Sequence, residues 1–212
     1  MAYSKRRYSK RPARRYRRYR RSIASKALYL ARKANKSELK WYTTLTTTPI
    51  VFSSNRHIRS LSNIIQGVGP NERVGLSITP TSINLSLLMQ LADSGTMSHS
   101  VRVILFLWKT ERYEVAQDGD YLQTPDVLSY KDETKRFLSK TLYDRTFSLS
   151  PNGTRQISVS IKRKIKGIMA YEDASNNAPI KNQLVMAIYT DTKGSDPNPS
   201  VTYNSRLYFT DK

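Results

Sequence analysis

An all-β sandwich behind a basic N-terminal arm is the fold class this sequence predicts, and three observations predict it. After Glu38 the apolar residues recur with period two, segment after segment. No helix-period segment of useful length interrupts them, and polar connections containing Gly, Pro, Asn and Ser separate them. Ahead of them, residues 1–36 hold fifteen Lys/Arg and no acid, leaving twenty-one Lys/Arg against sixteen Asp/Glu beyond, so the formal charge of +20 divides as +15 and +5.

The arm is densest at "RRYRRYRRS", residues 14–22, with six arginines and two tyrosines. A segment this charged, with little to bury, does not offset its ordering entropy and is expected to be disordered when free. Arginine offers a planar fork of donors that fits phosphate oxygens, and tyrosine a flat face on which an unpaired base stacks. Lys5, Arg6, Arg7, Lys10, Arg11, Arg14, Arg15, Tyr16, Arg17, Arg18, Tyr19, Arg20 and Arg21 are therefore the candidate nucleic-acid-binding residues. The pattern suits a single strand.

Ile23, Ala27, Leu30, Ala31 and Ala34 share a helical face behind a Ser22 cap, so residues 23–35 are either a short helix formed on docking or a fraying linker. A nuclear localisation signal needs only about five to eight basic residues, which the arm exceeds, so recognition by a nuclear import receptor is a second use rather than the whole of it. A membrane-surface helix would want larger apolar residues opposite its charge. The apolar stretch Ala27–Ala31 is too short for a secretion signal, and the run Val103–Trp108 too short to span a bilayer, so no membrane insertion is expected. The two sequons, at Asn35 and Asn152, are read as accidental.

The strands follow in order. Trp41, Thr43, Leu45 and Thr47 share one face of a threonine-rich run, and Ile83, Leu85, Leu87 and Met89 alternate with Ser82, Asn84 and Ser86 as in a strand wet on one side. "VRVILFLW", Val101–Trp108, is apolar at both parities apart from Arg102, which marks a central strand buried on both faces. Residues 111–135 form a long acidic surface loop, with a helical turn near Asp126–Leu128. "YDRTFSLS" and "RQISVSIKRKI" flank Pro151, Asn152 and Gly153, and the Asn-Gly pair predicts a hairpin between them. In the second run Ile157, Val159, Ile161 and Ile165 point inward and Lys162, Lys164 and Lys166 outward, either as a solvated face or as a basic patch for a polyanion. "LVMAIYT" and "VTYNSRLYFT" bring the count to seven or eight strands.

Chemistry for catalysis is missing from the pattern, and no enzyme is expected. The chain has no cysteine, and His57 and His99 lack partners at ligand spacing, so neither a metal site nor any other cofactor is expected. Asp118, Asp120 and Asp126 lack the spacing of a calcium loop and are assigned to the solvated acidic segment. The glycines of "QGVGPNERVG" match no phosphate loop and are assigned to turns. Tyr113, Tyr121, Tyr130 and Tyr171 are expected at the surface, where another copy would cover them.

The Arg/Tyr-rich start, the "WY" at Trp41, the turn "GPNERVG", the core run "VRVILFLW" and the later "LYDRTFSL" together resemble the capsid proteins of small circular single-stranded DNA viruses, circovirus-like, and the sandwich is similar to the coat protein of satellite tobacco necrosis virus. The resemblance covers the chain from its first residues onward. It implies a single eight-stranded jelly-roll shell domain over residues 37–212, with Arg73 and Gly75 on the approach to the third strand region. It further implies a major capsid protein self-assembling as a homo-oligomer of sixty copies into a T=1 icosahedral virion, with arms 1–36 inward on the single-stranded DNA genome and assembly in the host nucleus. Two alternatives stand beside it. One is an RNA-packaging coat protein, because the arm's chemistry hardly separates the two nucleic acids. The other is a basic ribosomal or chromatin-associated protein, which would spread its charge over the folded body, here only +5.

Overall fold

The computed structural model describes residues 25–26, 38–51, 56–109, 121–135, 137–191 and 197–211. The chain divides into two units, Met1–Ser37 and Glu38–Lys212. Within the first only Ser25 and Lys26 are described, both helical and exposed. The arm candidates from Lys5 to Arg21, and the rest of the helix expected over 23–35, lie outside the described residues, as do Tyr113, Asp118 and Asp120.

The second unit is built from β1 (Leu39–Leu45), β2 (Ile50–Val51), β3 (Arg56–Ser60), β4 (Ser77–Gln90), β5 (His99–Trp108), β6 (Ser139–Leu149), β7 (Gln156–Lys164), β8 (Met169–Ala170), β9 (Gln183–Thr190) and β10 (Ser200–Asp211). Two antiparallel sheets result, the first ordered β1-β10-β4-β7 and the second β3-β9-β5-β6, with two-residue β2 and β8 added to the first. The eight longer strands alternate between sheets at every connection except β5 to β6. That is the connectivity of a jelly roll.

Alternation in the sequence sets the first sheet's two faces. Ile78, Ile83, Leu85, Leu87 and Met89 of β4, and Val201, Tyr203, Leu207 and Phe209 of β10, are buried against the second sheet, as the period-two pattern predicts. Pro80 has no N–H to donate to a central strand, and it sits where the β4–β10 register slips between Ser82 and Pro80. In the second sheet the two middle strands, β9 and β5, are buried on both sides. Val101, Val103, Leu105 and Leu107 of β5 face the first sheet, while Ile104, Phe106 and Trp108 form a separate cluster with Val185, Ala187 and Tyr189 of β9.

That separate cluster is roofed by Tyr121, Leu122 and Val127, which corrects the expectation of a wholly solvated loop. A strand apolar at both parities needs cover on both faces, and the nearest long connection supplies it. Tyr121 stacks on Phe106 with ring centroids 4.3 Å apart and bonds Thr141 through its hydroxyl, O···O 2.7 Å. Near Asp126–Leu128 the chain makes only a turn, and the helical segment, a 3-10 turn, lies at Glu133–Lys135.

Two further expectations are overturned. β6 and β7 do not pair: β6 bonds β5 in the second sheet and β7 bonds β4 in the first. The turn is real, with Gly153 N–H donating to Ser150 O at 3.2 Å, but neither Asn152 nor Gly153 takes the positive φ of a hairpin turn. A tight reversal fixes where the chain turns, not which strand it then meets. Tyr121 and Tyr171 are both 3% exposed rather than at the surface, whereas Tyr130 is 81% exposed as expected. Tyr171 donates its hydroxyl to Ser62 O at 2.9 Å, and burial pushes its pKa well up.

Candidate nucleic-acid interface

The described part of the expected interface is the outward face of the first sheet. Cross-strand register builds it in rows, because outward positions pair with outward positions. Trp41, Tyr208, Ser82 and Lys164 make one row; Thr43, Arg206, Asn84 and Lys162 make the next; Leu45, Asn204, Ser86 and Ser160 make a third. Lys162, Lys164 and Arg206 are exposed, Trp41 is 40% exposed, and Tyr208 is half-buried. No carboxylate stands in these rows.

Two acids near this sheet are engaged elsewhere. Asp211 turns to the inner side and pairs with buried Lys40, Nζ to Oδ2 2.8 Å, while its Oδ1 accepts the Val74 N–H. In the loop whose Pro70 O faces the Trp41 N–H, the Glu72 carboxylate accepts the Gly69 N–H at 2.7 Å. The open face is left cationic, amidic and aromatic. Two adjoining depressions run over it, one of about 170 Å³ lined by Asn84, Ser86, Asn204, Arg206 and Tyr208, the other of about 450 Å³ toward Leu45, Leu88 and Thr202.

Of the three lysines expected to share a strand face, two do. β7 ends at Lys164, and exposed Lys166 stands in the turn that follows, just before Gly167, whose φ of +115° suits only glycine. Arg163, which interrupts the inner row, swings out to donate through Nε to Leu142 O at 2.9 Å. Arg206 is the residue sequence reading missed. Alternation within "VTYNSRLYFT" places it outward, but its proximity to Lys162 depends on β4 lying between β10 and β7, which no local pattern records.

On the second sheet Arg102 is occupied. Arg102 grips Asp144 through two bonds of 2.9 and 3.0 Å and donates to Val127 O and Ser129 O, tying the roof segment to the second sheet. Burial alone would raise the Asp144 carboxyl, but the hydrogen bonds and charge of Arg102, with Lys131, outweigh it and hold the group below its usual range. The cleft there, about 630 Å³, mixes Arg102, Lys131 and Arg145 with Asp144 and Glu133 and so presents no single sign of charge. His99 is buried with Nδ1 3.1 Å from Asp191 O, and burial followed by the charge of Arg59 lowers the His57 pKa. Among the described residues no three His, Cys, Asp or Glu side chains converge to hold a metal ion.

No protein-family profile matches the chain, and no curated protein does. Solved structures are similar at low scores. One titled Desmodium yellow mottle tymovirus aligns at 12% identity and TM-score 0.41, covering 84% of this chain and 89% of its own. An empty head of turnip yellow mosaic virus aligns at 10% and 0.39, covering 83% and 82%. Naturally occurring empty particles of cowpea mosaic virus align at 13% and 0.35, covering 80% and 85%. The jelly roll itself stands on the strand order and register given above.

Proposed function

We propose that the chain is the coat protein of a small virus, whose jelly-roll unit forms the shell and whose arm packages a single-stranded genome. The observation that carries this is the joining of a jelly roll, β1-β10-β4-β7 on β3-β9-β5-β6, to an arm of fifteen uncompensated cations. A subunit of a closed shell needs several contact surfaces, and the connections supply apolar ones: Val68 is 92% exposed, Leu128 84% and Phe137 72%. In a T=1 shell, sixty arms of +15 would bring about 900 positive charges to the interior, a scale suited to a genome of one to a few thousand nucleotides. DNA is the nucleic acid implied by the circovirus-like resemblance, while the low-scoring structural likenesses give it no support over RNA. An import signal within the arm would direct assembly to the host nucleus.

Electron microscopy of the purified protein, with nuclease digestion of what co-purifies, tests the proposal. Uniform shells are expected, holding material sensitive to DNase or, for the RNA coat protein, to RNase. A protein that stays monomeric at high concentration with nucleic acid bound would defeat it. Removing residues 1–36 is expected to weaken binding and to flatten most of its salt dependence, read by anisotropy with a single-stranded oligonucleotide.

A further inference from the structure

The two sheets are unlike on their outer sides. The second is roofed by Tyr121, Leu122 and Val127, whereas the first has no such roof among the described residues and carries exposed Lys162, Lys164 and Arg206 with no acid in their rows. An ordinary solvated strand face mixes both signs of charge. This one is selective in what it omits.

The aromatic pair points to the class of polyanion. Trp41 and Tyr208 are directly opposed across β1 and β10, and Trp41 leaves 40% of its surface in solvent. Neighbouring strands lie about 5 Å apart, so Arg206 and Lys162, with Asn84 between them, are separated by roughly 10 Å across the sheet. Flat rings next to a line of cations and side-chain amides match a chain of phosphates bearing unpaired bases, which stack on any aromatic face without regard to sequence. A sulfated polysaccharide would be drawn to the cations but carries no flat bases to stack on the rings.

We propose that this open face binds single-stranded nucleic acid in its own right, with Arg206, Lys162 and Lys164 on phosphates, Trp41 and Tyr208 stacking bases, and Asn84 and Asn204 offering amide hydrogen bonds. It deepens the coat-protein reading and rests on it for which polyanion the face meets. The face would hold a defined stretch of strand on a rigid support, a different mode from the electrostatic capture by the arm.

The chain carries its own reporter, since its two tryptophans are Trp41, exposed, and Trp108, 3% exposed under the roof of the second sheet. Full-length protein titrated with short oligothymidylate or oligouridylate is expected to lose tryptophan fluorescence on binding, and Trp41→Phe to abolish that loss while anisotropy still reports the complex. The triple variant Lys162→Ser, Lys164→Ser, Arg206→Ser is expected to lower the slope of log affinity against log salt by about 2, three phosphate contacts at about 0.7 each for single strands. Should it fail to fold, the milder Lys162→Gln, Lys164→Gln pair is expected to lower the slope by about 1.4. Quenching by either oligonucleotide supports the face, and the tighter of the two names the nucleic acid it prefers. Saturated binding with unchanged fluorescence and an unchanged slope overturns the proposal, as does heparin displaced from this face by the triple substitution while oligonucleotide binding is untouched. Shell formation is scored separately by microscopy, so failure of the face leaves the coat-protein reading standing or falling by its own images.

Discussion

Arg73 is fully buried, and each of its five side-chain N–H groups meets an acceptor: Nε donates to Ile64 O, Nη1 to Gln66 Oε1 and Gly75 O, and Nη2 to Asp173 O and Asn176 O. Its guanidinium also lies 4.1 Å from the centre of the Tyr171 ring. A lysine cannot reproduce that fork, so Arg73→Lys is expected to leave carbonyls of two separate loops unpaired and to cost on the order of 3 kcal/mol, read as a lower urea midpoint. An unchanged midpoint would show that the fork does not hold the loops. The sequence places Arg73 ahead of a strand but could not show its burial, because the acceptors come from segments some hundred positions apart. Asp144 gives a second, pH-dependent expectation. Its pKa is lower in the fold than in the unfolded chain, so the stabilisation by Arg102 is complete above about pH 4 and is lost as pH falls through the folded value. Asp144→Asn is expected to be less stable by about 2 kcal/mol at neutral pH and to lose less than the wild type on acidification, measured by urea midpoints over a pH series.

Among the elements, those with a clear period were legible and those without were not. β4, β7 and β10 alternate as "SINLSLLM", "QISVSIK" and "VTYNSRLYF" require, and β5 and β9 have the unbroken apolar runs of strands covered on both sides. β3 escapes such reading: "RHIRS" is a polar edge strand whose one large apolar side chain, Ile58, packs only partly against the outer cluster. The covering role of residues 121–127 was hidden for a related reason. Tyr121, Leu122 and Val127 are three apolar residues scattered through acidic sequence, and only the sheet beneath gives them a common face. Leu122→Ala is therefore expected to behave as a core truncation and to cost about 2–4 kcal/mol in the urea midpoint, where a surface-loop residue would cost almost nothing.

At the scale of the whole molecule, exposed apolar side chains in the connections should matter for association and not for folding. Val68→Asp is expected to leave the urea midpoint within about 0.5 kcal/mol of the wild type while reducing or abolishing large particles in light scattering. Retention of full-sized particles would remove this loop from the contacts between copies. The same scale holds the consequence of β10. It lies between β1 and β4, bonding the earliest strand of the unit on one side and β4 on the other, although it comes last among the unit's described strands in chain order. At about 5–20 residues per second, a ribosome needs roughly 8–32 s to pass from β1 to β10. Through that time the first sheet has no middle, and the inner apolar row of β4 has no neighbour on its β10 side. Folding of this unit thus waits on β10, and a nascent chain stalled before Ser200 should be bound by chaperones and cut by proteases at sites that the folded unit withholds.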